Sequence, residues 1–274
     1  MTRIWLCADD YGIAPGVNAA IRDLVARGRL NATSVMVVAP TFSRAEAVGL
    51  SILNGVTHRA AIGLHVTLTG PLKPLTGGFA PLKEGAFLPV SQMLLRALAR
   101  CLDKEALVRE VEAQFTAFAA AFGRPPDFVD GHQHVHLFPI VRDAVLDAMR
   151  QFAPEAWVRQ CGASQPLKLS DPKGALIDWL SGAFKKRAAA RGIAANPLFA
   201  GTYTYRADAD FQTLFPGFLK GLTEGSLVMC HPGTVDAELA RLDPLTTLRE
   251  REYAYFRGDR FPQDLAAQGL SLNG

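Results

Sequence analysis

Six histidines and one adjacent pair of aspartates carry most of the chemistry this sequence could perform. The pair, Asp9-Asp10, follows the apolar run Ile4-Trp5-Leu6-Cys7-Ala8. Two neighbouring carboxylates at a buried strand end repel each other and are costly unless a cation or a proton lies beside them. One of the two could cap the helix that begins near Pro15, which leaves the other unexplained. His65 closes Ala61-Ile62-Gly63-Leu64, and taken alone it reads as an ordinary hydrogen-bonded core histidine. Asp130-Gly131-His132-Gln133-His134-Val135-His136 is denser. On an extended chain residues two apart share a face, so the spacing predicts three imidazoles along one side. One or two would serve as ligands and the others would place substrate or water. The flanking Phe128, Val129, Leu137 and Phe138 argue for burial over a surface histidine tract. His231 ends Ser226-Leu227-Val228-Met229-Cys230, where Pro232-Gly233 turns the chain; a plain turn histidine would stand there too.

Five of the six histidines thus fall at predicted strand ends, His58 being the exception. In parallel α/β folds the C-terminal edge of the sheet is where sites are built. A carboxylate with two imidazoles makes a facial metal site with open positions for water and substrate. Such a site acidifies water and polarises a carbonyl. A second carboxylate beside it can take the proton from that water, and an imidazole opposite can protonate a leaving amine. That set suffices for amide or ester hydrolysis without a Ser or Cys nucleophile, and no Gly-x-Ser-x-Gly elbow is present.

The elements that must position these groups alternate. Strands are predicted over Ile4 to Ala8, Thr33 to Ala39, Ala61 to Leu68, Phe128 to His136, Ala156 to Gln160, Ser226 to Cys230 and Leu270 to Leu272, by apolar runs rich in β-branched residues. Helices are predicted over Pro15 to Gly28, Phe42 to Asn54, Asp103 to Phe122, Ile140 to Phe152, Gly174 to Arg191, Phe211 to Leu222 and Thr246 to Phe256. About seven strand–helix units over this length favour a closed or nearly closed parallel barrel, in one domain spanning residues 1–274. The stretch from Gly70 to Pro89 carries four Pro and four Gly. A connection this long in a compact domain is commonly a binding loop, and it is expected to border the cleft.

Charge excludes some partners. Lys and Arg number 29 against 26 Asp and Glu, a net charge of +3, so no electrostatic footprint for nucleic acid exists. Lys185-Lys186-Arg187 reads as a solvated helix face. The four cysteines are widely spaced, without a Cys-x-x-Cys pair, so no zinc knuckle or redox motif is indicated. No apolar run reaches the roughly 20 residues of a membrane span, and the first residues lack signal-peptide features. A cytoplasmic protein is the expectation, with a homodimer as the default assembly.

Four motifs, in this order, resemble those of the YdjC-like carbohydrate deacetylases, a family that includes chitooligosaccharide deacetylase and hopanoid-associated deacetylases. They are Ala8-Asp9-Asp10-Tyr11-Gly12, Gly63-Leu64-His65-Val66-Thr67-Leu68-Thr69, Asp130-Gly131-His132-Gln133-His134-Val135-His136 and Met229-Cys230-His231-Pro232-Gly233. The resemblance implies an α/β fold: a distorted, TIM-like (β/α) barrel related to polysaccharide deacetylases. It implies one divalent metal ion, Mg or Zn, held by Asp10, His65 and His132, with Asp9 as general base and His231 as acid. It places Arg159, His134 and Tyr11 on the substrate side, Arg159 alternatively behind the ligands. The substrate implied is an N-acetylated sugar of unspecified identity. The third motif departs from the Asn-Ala-His-Lys-His form of the hopanoid-associated members, so chemistry is better fixed than the sugar.

Two rival readings stay open from the residues. A barrel phosphoesterase would require further ligands for a second metal and basic residues for phosphate. A receiver-type binding module shares an acidic pair after its first strand, but is about half this length and leaves the histidines unexplained.

Overall fold

The computed structural model describes residues 1–53, 59–164 and 171–272; His58 and Asn54 lie outside them. Seven parallel strands carry the fold. They are β1 (Trp5–Tyr11), β2 (Ala32–Val35), β3 (Ala61–Val66), β4 (Phe128–Gly131), β5 (Trp157–Val158), β6 (Phe199–Ala200) and β7 (Leu227–Cys230). Their order across the sheet is β5-β4-β3-β2-β1-β7-β6. The two edge strands approach each other through parallel bridges, Val158 to Ala195 and Ala163 to Phe199. Ser164 N–H donates to Phe199 O at 3.0 Å across the same seam. The sheet is thus curled into the expected TIM-like barrel, distorted where short strands give way to single bridges.

Both faces of the central strands are covered, which is why β2, β3, β4 and β7 are buried at every position and read as continuous apolar runs. The outer helices are α1 (Pro15–Ala26), α2 (Arg44–Leu53), α3 (Val90–Leu98), α4 (Lys104–Phe122), α5 (Val141–Phe152), α6 (Pro172–Ala190), α7 (Phe211–Phe218), α8 (Ala237–Leu242), α9 (Thr247–Arg257) and α10 (Arg260–Ala267). Local chemistry sets their limits. Pro15 opens α1 at a position where a missing N–H costs nothing. Asp103 caps α4 by accepting from Ala106 N–H, and Gly123 ends it in the left-handed conformation. Leu107, Val111, Phe115 and Phe118, at helical spacing, lie on the buried face of α4.

Differences from the sequence expectations are local. β2 stops at Val35 rather than Ala39, where the chain turns. The long Pro/Gly connection is pinned to α4 by buried Glu110, which accepts from Leu75 N–H, Thr76 N–H and Thr76 Oγ1. It contains a two-stranded ribbon, Leu82–Lys83 with Ala86–Phe87, and leads into α3. The segment predicted extended through His136 is instead a 3-10 turn over His132–Leu137. No helix of the described residues is long and apolar enough to cross a membrane.

Candidate active site

All seven strands run the same way, so their C-terminal ends share one rim. At the end of β1 the pairing register slips between Ala8 and Tyr11. Asp10 there adopts φ of +68°, a left-handed value that Asp tolerates better than most residues. Thr33 Oγ1 donates to Ala8 O at 2.8 Å across the irregularity, and Asn18 Oδ1 accepts from Gly12 N–H at 2.6 Å just beyond it. The bulge defeats the strand's alternation: Asp9 and Asp10, though consecutive, both line the same cavity.

His65 on β3 lies opposite Asp130 on β4 in the ladder. Its Nδ1 donates to Asp130 Oδ1 at 2.6 Å, leaving Nε2 3.3 Å from Asp10 Oδ1. His132, the first residue after β4, brings Nδ1 to 3.0 Å from the same Asp10 Oδ1. The ligand-type atoms of Asp10, His65 and His132 all fall within 4.8 Å of one another, from three strand ends. A carboxylate behind an imidazole is the usual backing of a metal-bound histidine, and Asp130 supplies it to His65.

A second set of candidate ligands, Cys7, Asp9 and Asp130, also clusters, but a guanidinium already occupies it. Arg159 donates from Nη1 to Asp9 Oδ2 at 2.6 Å and from Nη2 to Asp9 Oδ1 at 2.5 Å and to Cys7 Sγ at 3.1 Å, and Nη2 pairs with Asp130 as well. Arg249 on α9 donates from Nη2 to Asp10 Oδ2 at 2.6 Å and to Asp243 Oδ2 at 2.8 Å. Both arginines are fully buried. Three fully buried carboxylates, Asp9, Asp10 and Asp130, therefore face two guanidiniums. The negative charge left unmatched sits where the two imidazoles point, which fits a cation.

The charges act on one another. Burial raises the cost of ionising Asp9, and the Arg159 guanidinium overrides it and holds the carboxyl well below its usual range. Burial likewise opposes ionisation of Asp10, and Arg249 and then His132 pull it down. Burial alone would keep His65 neutral, but Asp130 and Asp10 push its pKa up to about 10, another mark of surplus negative charge. His136 is the opposite case. Burial drives its pKa down to about 3, so it is neutral and serves the fold, with Nε2 donating to Arg159 O at 2.9 Å.

The tight turn after β4 explains why the three imidazoles do not share a face. Gly131 has no room for a side chain: a Cβ there would lie 2.9 Å from His136 Nδ1. Gln133 and His134 take φ of +53° and +59°. His132 reaches Asp10, His134 lines the cavity with Nδ1 3.5 Å from Cys161 Sγ, and His136 folds back beneath Arg159.

His231 follows Cys230, which pairs with Ala8, so it emerges beside Asp9 and lines the same cavity. Its ring packs edge-on against Tyr205, with centroids 5.8 Å apart. Its backbone N–H donates to Glu252 at 2.5 Å, while Nδ1 has no hydrogen-bond partner among the described residues.

The cavity measures 540 Å³. Its floor is polar, made of Asp9, Asp10, His65, His132 and His231. Its walls are largely apolar and come from helices and loops, with Leu94 of α3, Ile177 of α6 and Leu245 before α9 among them. A second cavity of 560 Å³ adjoins it and shares Lys173, Ile177, Thr202 and Tyr205. The long loop begins at this floor, where a Cβ on Gly70 would lie 3.9 Å from His132 Nε2. It ends in α3, whose Val90, Ser91 and Leu94 form part of the wall.

One expected substrate contact, Tyr11, is corrected, and Arg159 takes its alternative place behind the ligands. Arg159 does not line the cavity; its guanidinium lies under the floor, committed to Asp9 and Asp130. Tyr11 is buried away from it, its hydroxyl donating to Glu46 Oε2 at 2.7 Å and accepting from Arg22. It anchors α2 against α1. His134 alone of the three faces the cavity. Sequence reasoning missed Arg249, Asp243 and Glu252. A usable signal existed for Glu252: it sits in the stripe Leu248, Glu252, Tyr255, all buried, where helical spacing calls for an apolar residue.

Known proteins share this architecture. A "putative cellobiose-phosphate cleavage protein" of Enterococcus faecalis V583 superposes with a TM-score of 0.73 at 20% identity, covering 100% of this chain and 97% of that one. The lactam utilization protein of Thermus thermophilus superposes with a TM-score of 0.55 at 15% identity, covering 99% of each. At these identities the likeness concerns the fold alone. In sequence, the chitooligosaccharide deacetylases of Yersinia pestis (strain Pestoides F) and Yersinia pseudotuberculosis serotype O:1b are each 32% identical over 145 residues, 53% of this chain and 54% of theirs. The chain spans about half the length of these curated relatives. A family model described as YdjC-like protein matches residues 3–267, and with the four motifs gathered on one rim the chain belongs to the YdjC-like family.

Proposed function

We propose that this protein is a metal-dependent hydrolase that removes the acetyl group from an N-acetylated sugar. One observation carries the reading: Asp10 Oδ1, His65 Nε2 and His132 Nδ1 converge at the floor of a cavity that Asp9 and His231 also line. The names of the Yersinia relatives support the substrate class.

Asp10, His65 and His132 would hold one divalent cation, Zn or Mg, for which a carboxylate–imidazole donor set is suitable. A cation there supplies a Lewis acid that polarises an amide carbonyl and acidifies water. Asp9 is the general base. Its Oδ1 accepts from Ser34 Oγ and Arg159, whereas Oδ2 accepts from Arg159 alone and keeps capacity for a proton. Arg159 keeps the carboxylate ionised and fixes its plane, so the proton of the attacking water meets an acceptor already in place. His231 stands beside Asp9 at the end of the neighbouring strand β7. Its imidazole, which lines the cavity, delivers a proton to the departing amine, a leaving group that needs one. His134 and the apolar walls take the sugar and the acetyl methyl.

Acetate released from N-acetylglucosamine, chitobiose and longer oligomers tests this, with and without a chelator. Chelation should abolish release and added metal should restore it. Asp9→Asn and His231→Ala should keep the metal and lose about 10²–10⁴-fold in kcat. On an activated acetate ester, whose leaving group needs no proton, His231→Ala should recover much of its rate and Asp9→Asn should not. Equal losses for His231→Ala on amide and ester would remove it from the acid role. Chelator-resistant turnover would remove the metal.

A further inference from the structure

The two consecutive aspartates are each gripped by a buried arginine, and the grips differ. Arg159 takes both oxygens of Asp9, at 2.6 Å and 2.5 Å. Arg249 takes only Oδ2 of Asp10, at 2.6 Å, and leaves Oδ1 facing His65 and His132. Its Nη2 is shared with Asp243 Oδ2 at 2.8 Å, and its Nε donates to Leu245 O at 2.9 Å. Three hydrogen bonds from Nη2 and Nε thereby hold the guanidinium against Asp10.

We propose that Arg249, anchored by Asp243, is a positioning residue that confines Asp10 to one-oxygen ligation and so sets the affinity and coordination number of the metal centre. This rests on reading Asp10, His65 and His132 as that centre. A carboxylate free at both oxygens can chelate an ion, which adds a ligand and closes a position that water or substrate needs. With Oδ2 committed to a charge-assisted hydrogen bond, only Oδ1 is offered. Nη2 alone meets both carboxylates while Nε holds Leu245 O, and a lysine ammonium, with a single nitrogen, could not make all three contacts in this geometry.

The supporting helix is built for the task. Arg249 and Glu252 stand three residues apart on α9 and so share a face. Glu252 accepts from His231 N–H at 2.5 Å and from Tyr203 Oη at 2.6 Å. One helix face therefore holds a ligand on β1 and the strand end that carries His231. Both residues are fully buried in the amphipathic frame of α9, where apolar side chains would have packed without cost.

Cobalt(II) titrated into the metal-free full chain, followed by visible absorption, reads affinity and coordination number without any turnover. The wild type should take up one equivalent, with the intense bands of low coordination number. Arg249→Ala should bind about 10–100-fold more weakly, the range for loss of a group backing a ligand, and its bands should weaken as Oδ2 joins the ion. Arg249→Lys should recover part of the affinity, and Asp243→Asn should fall between it and wild type. A purely structural role would lower stability but leave the spectrum of the folded protein unchanged. Wild-type affinity and spectrum in folded Arg249→Ala would overturn the proposal. Should that variant fail to fold, the same result in Arg249→Lys and Asp243→Asn together would overturn it. Were wild type to bind no more cobalt than His65→Ala, the metal-centre reading would fall, and the proposal with it.

Discussion

The floor and the walls of the cavity are made by opposite means. The floor is a lattice of charged and polar groups on strand ends: Arg159 alone joins Asp9, Asp130 and Cys7, and Asp130 passes the contact on to His65. The walls are apolar side chains such as Leu94 and Ile177, on helices that pack outside the barrel. Asp9, Asp10, His65 and His132 are each held by partners from other strand ends, so none of these four can move alone. Each wall residue is held only by packing, and a substitution there is felt locally. On the proposed function, chemistry falls to the rigid part of the molecule and selection of substrate to the adjustable part.

Three changes would sharpen or break this contrast. The largest effect is expected from Arg159→Met, which strips the cation from two fully buried carboxylates. Loss of one partner from a buried ionic network costs about 3–5 kcal/mol, and denaturant unfolding should report it. A cost near zero would mean that the lattice is not what stiffens the floor.

A smaller effect per pH unit should come from pH acting through His136, which is neutral when folded, with pKa about 3, against an ordinary value near 6.5. Between those values the unfolded chain binds a proton that the folded chain refuses. The contribution of His136 is therefore complete above about pH 6.5 and lost as pH falls toward 3, by roughly 1.4 kcal/mol per pH unit. A urea series over this range should show a shallower acid slope in His136→Gln. Identical slopes would take His136 out of the account.

The smallest effects belong to the walls. Leu94→Ala and Ile177→Ala remove apolar contact and should raise KM on the order of ten-fold, as loss of small apolar groups does in hydrophobic pockets. Both kcat and metal content should stay near wild type. If kcat fell as it does for Asp9→Asn, floor and wall would not be separable.

The sequence showed the floor better than it showed what holds the floor. Asp9, Asp10, His65, His132 and His231 stood out because polar groups at the ends of apolar runs are conspicuous, and they do converge on one rim. The barrel was legible for the same reason, since buried parallel strands read as unbroken apolar runs. The histidine run was misread because period-two spacing suggests an extended chain, whereas Gly131 and two left-handed residues wind it into a turn. Arg159 was expected on the substrate side or behind the ligands, and its residue type alone did not decide between them. Its burial depends on Asp9 and Asp130, 150 and 29 positions away in the numbering, and only the closed sheet brings them together. Helix α3, which follows the Pro/Gly-rich connection directly, was not singled out, and α8 and α10 are too short for a periodic signal to accumulate.

The bulge at Asp10 has a mechanical consequence. Distances between residues on different strands change whenever the barrel breathes or the sheet twists. The backbones of Asp9 and Asp10 are joined by a single peptide unit, whose ends stay about 3.8 Å apart. By turning two successive side chains into one cavity, the bulge makes that covalent link a ruler between the proposed proton acceptor and the proposed ligand. Thermal motion can carry the pair toward or away from the histidines, but it cannot alter the spacing of their two backbone anchors.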